Sequence, residues 1–145
     1  MMYQNVDLVK MGEAAARLPS FQKKEENAKE AVREAFARCE NPYLAISGGK
    51  DSVAMAGLVN EVAKKLGRDF VMWAHLSDAS FPGTEETIKA TAEKLGREVI
   101  LDWSPVSAFD VVGQGSKKQF GKHGYFFDAI KNFVETEKKD LAFIG

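Results

Sequence analysis

Six consecutive residues, Ser47-Gly48-Gly49-Lys50-Asp51-Ser52, have the types and spacing to hold an anion. They follow the apolar run Tyr43-Leu44-Ala45-Ile46 and open a helical pattern from about Asp51 to Leu66. A buried strand that ends in small residues and turns directly into a helix aims several free backbone N–H groups, with the positive end of the helix dipole, at one point. Gly48 and Gly49 let the backbone approach an anion with no Cβ in the way. Ser47 and Ser52 add hydroxyl donors, and Lys50 adds positive charge. Phosphate is the expected occupant. The common phosphate loop G-x-x-x-x-G-K-S/T would need glycine in place of Leu44 and Ser or Thr in place of Asp51, so this is a different loop.

The hexapeptide matches the pattern SGGxDS, and through it the chain resembles the PP-loop ATP pyrophosphatases, which typically split ATP between its α and β phosphates. A second stretch, Asp78-Ala79-Ser80-Phe81-Pro82-Gly83-Thr84-Glu85-Glu86-Thr87, is similar to the segment after the second strand in one branch of that superfamily. That branch is the phosphoadenosine phosphosulfate (PAPS) reductase family, which includes true reductases, a sulfate adenylyltransferase subunit and sulfur-transfer proteins. The resemblance runs from about Tyr43 to Gly145 and implies an adenine nucleotide, ATP or PAPS, and a link to sulfur metabolism. Ser47 to Ser52 would hold the phosphates, and Lys50 would act catalytically by stabilising charge on a departing pyrophosphate. Backbone groups at about Ala74, His75 and Leu76 would hold adenine. Mg²⁺ would bridge the phosphates of ATP, with Asp51 or Asp78 as candidate ligands. Asp51 serves equally as a helix cap, and Asp78 equally as an Asx turn or a ribose contact.

In the PAPS reductase family the fourth strand runs on into a Gly-x-Arg segment and a region carrying basic residues and, in true reductases, a catalytic cysteine. This sequence stops at Gly145. The resemblance therefore implies a fragment, a truncated product, or a site completed by a partner chain or a second copy. It also keeps two other functions open: a sulfurylase-like ATP pyrophosphatase or adenylyltransferase, and a non-catalytic nucleotide-binding module.

The rest of the sequence must position these groups. With 145 residues, 45% of them hydrophobic, one domain with a proper core is expected. Within it, residues 1–42 would supply N-terminal helices and residues 43–145 an α/β core. The 20 basic and 21 acidic residues leave a net charge of −1, so no bulk attraction to nucleic acid or an anionic membrane is expected and anion binding must be local. No apolar leader or membrane-length run is present, which predicts a cytoplasmic protein. The single cysteine, Cys39, keeps helical register with Ala28, Ala31, Val32, Ala35 and Phe36, and so reads as a core thiol.

Alternation of short apolar runs with helical patterns predicts an open parallel sheet with helices on both faces, a Rossmann-like architecture. Strands are expected at Tyr43 to Ile46, Phe70 to Leu76, Glu98 to Asp102 and Leu141 to Ile144. Helices are expected at Val6 to Arg17, stopped by Pro19, and at Phe21 to Glu40, capped by Ser20. Further helices should follow the loop, start at a Thr84 cap, and span Tyr125 to Lys138. Ligands of such sheets lie beyond the carboxyl ends of the strands, which brings Ser47 to Ser52 and His75 to Thr84 to the same edge. His75, inside an apolar strand, reads as a structural histidine. The glycine-rich basic stretch from Gly113 to Gly124 reads as a connector or as a cover for an anion.

Overall fold

The computed structural model describes residues 7–109 and 124–145. The elements run α1 (Leu8–Ala16), α2 (Pro19–Ala37), β1 (Pro42–Ala45), α3 (Lys50–Leu66), β2 (Val71–Leu76), α4 (Thr84–Leu95), β3 (Val99–Trp103), α5 (Gly124–Thr136) and β4 (Leu141–Ile144). The stretch from Gly113 to His123 lies outside the described residues.

All four strands are parallel, in the order β3-β2-β1-β4. The chain steps outward from β1 through β2 to β3, then returns to place β4 on the other side of β1. The strand order therefore reverses between β1 and β4, where a crevice opens beyond the carboxyl ends. β1 supplies the centre. Leu44 is fully buried between Met72 of β2 and Phe143 of β4. Continuous burial of Pro42, Tyr43 and Leu44 fits a strand covered on both faces.

On one face, Val32 and Phe36 of α2, Ala56, Val59 and Val62 of α3, and Ile88 and Ala92 of α4 pack on Leu44, Met72, Ala74 and Leu76. On the other, Tyr43 and Trp73 pack against Phe133 of α5. Trp73 stacks on Phe133 at 5.4 Å between ring centroids, and Tyr43 meets that ring edge-on at 5.1 Å. This is the doubly covered parallel sheet expected from the pattern of the sequence. Cys39 is buried in the first of these clusters. α1 buries none of its side chains. Among the described residues, no helix is long and apolar enough to cross a membrane.

Both ends of α2 and the start of α4 fall elsewhere than the sequence pattern puts them. Ser20 does not cap α2: Leu18 holds the cap position in an extended conformation, and Pro19 is the first helical residue, where its missing N–H costs nothing. That helix also stops at Ala37 rather than Glu40, because the amides of Glu40 and Asn41 donate instead to the Asp140 carboxylate, at 2.6 and 3.0 Å. Nor does Thr84 cap α4; Gly83 does, with no side-chain hydrogen bond to the helix end.

Candidate phosphate-binding cleft

The loop that leaves β1 is held by a buried hydroxyl. Ser52 Oγ donates to the Gly49 carbonyl at 2.9 Å and accepts from the Ser47 amide at 3.2 Å and the Ser47 hydroxyl at 3.1 Å. Ser52 is only 2% exposed, so its hydroxyl is committed to shaping the loop rather than presented to a ligand. Gly48 has φ of +80° and lies against α4, where an added Cβ would come within 3.3 Å of Thr84 Cγ2. A side chain there would face both a strained backbone and a crowded neighbour.

Ser47, Gly48 and Gly49 line a cleft of about 510 Å³ whose opposite wall is Phe81, Pro82, Gly83, Thr84 and Thr87. The two stretches singled out in the sequence thus form the two sides of one space. Both helices that open on it, α3 with Gly49 as its cap residue and α4 with Gly83, lack a side-chain cap. Their first N–H groups have no capping side chain, and both dipoles present their positive ends there.

Lys50 and Asp51 follow at the exposed start of α3. The Lys50 ammonium lies 2.8 Å from Asp51 Oδ1, and this carboxylate raises the lysine pKa by hydrogen bonding first and charge second. A cation is therefore kept beside the loop at neutral pH. Asp78 has a different use. Its two carboxylate oxygens accept from the Ser107 hydroxyl and, at 2.8 Å, from the Ala108 amide. Those bonds hold its pKa below the usual carboxylate value, and they tie the loop after β2 to the segment after β3. Neither bond is the local Asx turn foreseen for Asp78; both reach across to the segment after β3. Asp51 is the candidate carboxylate directly beside the loop. Among the described residues, no group of three or more His, Cys, Asp or Glu side chains could hold a metal ion.

Ala74 and Leu76 are buried in the sheet, and the Leu76 carbonyl already accepts from the Ser104 amide at 2.8 Å. His75 stands beside a smaller pocket of about 170 Å³ that also touches Ala45, Ile46, Ser47, Trp73, Phe126 and Gly145. Its ring stacks on Trp73 at 6.1 Å and meets Phe126 edge-on at 5.6 Å. Burial lowers the His75 pKa, partly opposed by the charge of Asp102, its register partner on β3. The aromatic walls of this pocket were not singled out from the sequence. The two-residue alternation that puts Trp73 and His75 on one face of β2 was the available signal.

No protein-family model matches the sequence, and no curated protein matches it. Solved structures do match the fold. One is an NH3-dependent NAD synthetase from Campylobacter jejuni, solved with nitrate, at TM-score 0.58 and 14% identity over 83% of this chain and 54% of that one. Another is a U34-tRNA thiolase from Methanococcus maripaludis, solved with its 4Fe–4S cluster, at TM-score 0.60 and 20% identity over 83% of this chain and 44% of that one. What the chain shares with these two enzymes is the open parallel α/β fold. This chain spans about half the length of those two structures.

Proposed function

We propose that this protein binds the phosphate chain of an adenine nucleotide, ATP or PAPS, in the cleft between Ser47–Gly49 and Phe81–Thr87. One observation carries the reading: two helix N-termini without side-chain caps, on α3 and α4, open on a single cleft at the carboxyl-end side of the neighbouring strands β1 and β2. In this reading the backbone N–H groups of the loop and Lys50 hold the phosphates, and the Ser47 hydroxyl, which donates to Ser52 Oγ, helps hold the loop in shape. Ser52 fixes the loop's shape. The aromatic pocket beside Ser47, formed by Trp73, His75 and Phe126, takes the base, at the end of β2 where Ala74 to Leu76 lie. Where ATP is the nucleotide, Asp51 is the residue that would hold Mg²⁺, which would neutralise phosphate charge.

Of the reactions known in the resembling families, sulfonate transfer to a thiol of this chain is the least supported. Cys39 precedes β1 whereas the loop follows it, so the two lie at opposite ends of the strand. Its thiol is buried, and burial raises its pKa, the reverse of what a nucleophilic thiolate needs. Nucleotide binding within a PAPS reductase-like or sulfurylase-like sulfur chemistry, with a second copy or partner completing the site, is the reading we favour.

Calorimetric titration with ATP with and without Mg²⁺, with PAPS and with adenosine 3′,5′-bisphosphate tests it. One nucleotide should bind saturably, and Lys50→Ala should weaken it about tenfold, or about 1.4 kcal/mol. Preference for the 3′-phosphorylated ligands favours the reductase branch, and preference for ATP the pyrophosphatase branch. Absence of binding to all of them would overturn the proposal.

A further inference from the structure

Gly145 follows β4 and lies against the first turn of α3. A Cβ built on it would come within 2.9 Å of the Asp51 carbonyl oxygen, 2.9 Å of Met55 Cβ and 3.1 Å of Ser52 Cα. Two of these three atoms are backbone, and the third is fixed to it, so none can swing aside as the tip of a side chain could. β4 is hydrogen-bonded to β1 from Pro42↔Leu141 to Ala45↔Ile144, which fixes the height at which position 145 meets the helix. The backbone touched is that of Ser52, whose hydroxyl bonds the Ser47 amide, the Ser47 hydroxyl and the Gly49 carbonyl. Displacement at Ser52 Cα therefore passes to the loop through its own hydrogen bonds.

We infer that Gly145 is a positioning residue for the phosphate loop: the absence of a side chain there lets β4 buttress α3 at the height that keeps Ser52 bonded to Ser47 and Gly49. The inference rests on the proposed phosphate binding for its consequence, although its structural part stands on the contacts alone. Gly57, within α3, makes a matched control, because a Cβ added there meets nothing within 4 Å.

The test compares Gly145→Ala with Gly57→Ala by amide ¹H–¹⁵N spectra of the ligand-free proteins and by calorimetric titration with inorganic pyrophosphate. In Gly145→Ala the largest amide shifts should fall on Ser47, Gly49 and Ser52, and pyrophosphate affinity should drop at least tenfold. Gly57→Ala should leave those amides in place and the affinity within about twofold of wild type. In Gly145→Ala/Met55→Gly, which removes one of the two closest contacts, the loop amides should move part of the way back; this variant also carries the test if the single substitution does not fold. Ser52→Ala combined with Gly145→Ala should bind no more weakly than the worse of the two single variants, because both act through one hydroxyl, an outcome that general destabilisation would not produce. Loop amides that stay in place in Gly145→Ala, or shifts spread evenly over the sheet, would overturn the inference. If wild type fails to bind pyrophosphate, the phosphate reading falls while the shift pattern still decides the role of Gly145.

Discussion

Lys50 and Asp51 set the charge beside the loop, and their pairing makes each the test of the other. Both are exposed and neighbours in sequence, so their interaction is screened by solvent and salt. An incoming polyphosphate must share the Lys50 ammonium with Asp51 and also meets the Asp51 negative charge. Without metal, Asp51→Asn should strengthen pyrophosphate binding by roughly two- to fivefold at low salt, the scale of an exposed charge interaction, with the gain shrinking as salt rises. If Asp51 holds Mg²⁺, the same variant should instead weaken ATP binding measured in Mg²⁺. A titration series with and without the metal separates the two. His75 makes a second prediction at this scale. Burial holds its folded pKa below the unfolded value, so the native state binds fewer protons than the unfolded chain as the solution acidifies. The neutral ring's advantage is complete above the unfolded pKa of about 6.5 and is lost as pH falls from there through the folded pKa. Thermal midpoints should fall over that window in wild type and fall less in His75→Gln. An equal decline in both would remove His75 as the cause.

At the scale of the elements, strands and helices were legible because their patterns are long and consistent, whereas their ends were not. The apolar runs gave all four strands to within a residue or two, and β4 matches at both ends. The ends failed where a distant group decides them. Asp140 takes the amides of Glu40 and Asn41 across about a hundred residues of sequence, which no local pattern can signal. At α4 the local reading put the cap on Thr84, but Gly83 turns the chain with φ of +84°, leaving Thr84 inside the helix and facing the cleft. Burial predicts how unequal the elements are. Leu44, fully buried in the central strand, should cost about 2–5 kcal/mol when cut to alanine. Leu8, 76% exposed on α1, should change stability by less than about 0.5 kcal/mol. Urea denaturation of the two variants checks both figures, and a large loss in Leu8→Ala would mean that α1 is covered in solution.

The whole molecule adds what neither scale supplies, which is the meeting of Ser47–Gly49 with Phe81–Thr87. Each stretch was visible alone, and the rule that ligands sit beyond the carboxyl ends of parallel strands placed them on one edge. Their apposition across one cleft depends on β2 lying directly beside β1, and the close approach of Gly145 to α3 depends on β4 lying on the other side. Such neighbour relations are set by how layers pack, so residue spacing alone could not give them. They also give ligand binding a global consequence. A phosphate chain bound in the cleft as proposed would touch both the β1–α3 and the β2–α4 connections, and so would bind the folded sheet and not the unfolded chain. Ligand at a hundredfold its Kd should then stabilise the fold by about 2.7 kcal/mol. For a chain of this size that raises the midpoint of thermal unfolding by roughly 5–10 °C. In Leu44→Ala, which lowers the midpoint but leaves the cleft residues untouched, the increment at the same saturation should be similar in free energy. In Lys50→Ala, at the wild-type ligand concentration, it should shrink by about 1.3 kcal/mol for a tenfold weaker Kd. A nucleotide that leaves the midpoint unchanged at concentrations saturating by calorimetry would mean that it binds folded and unfolded chains alike, and the cleft would then not be its site.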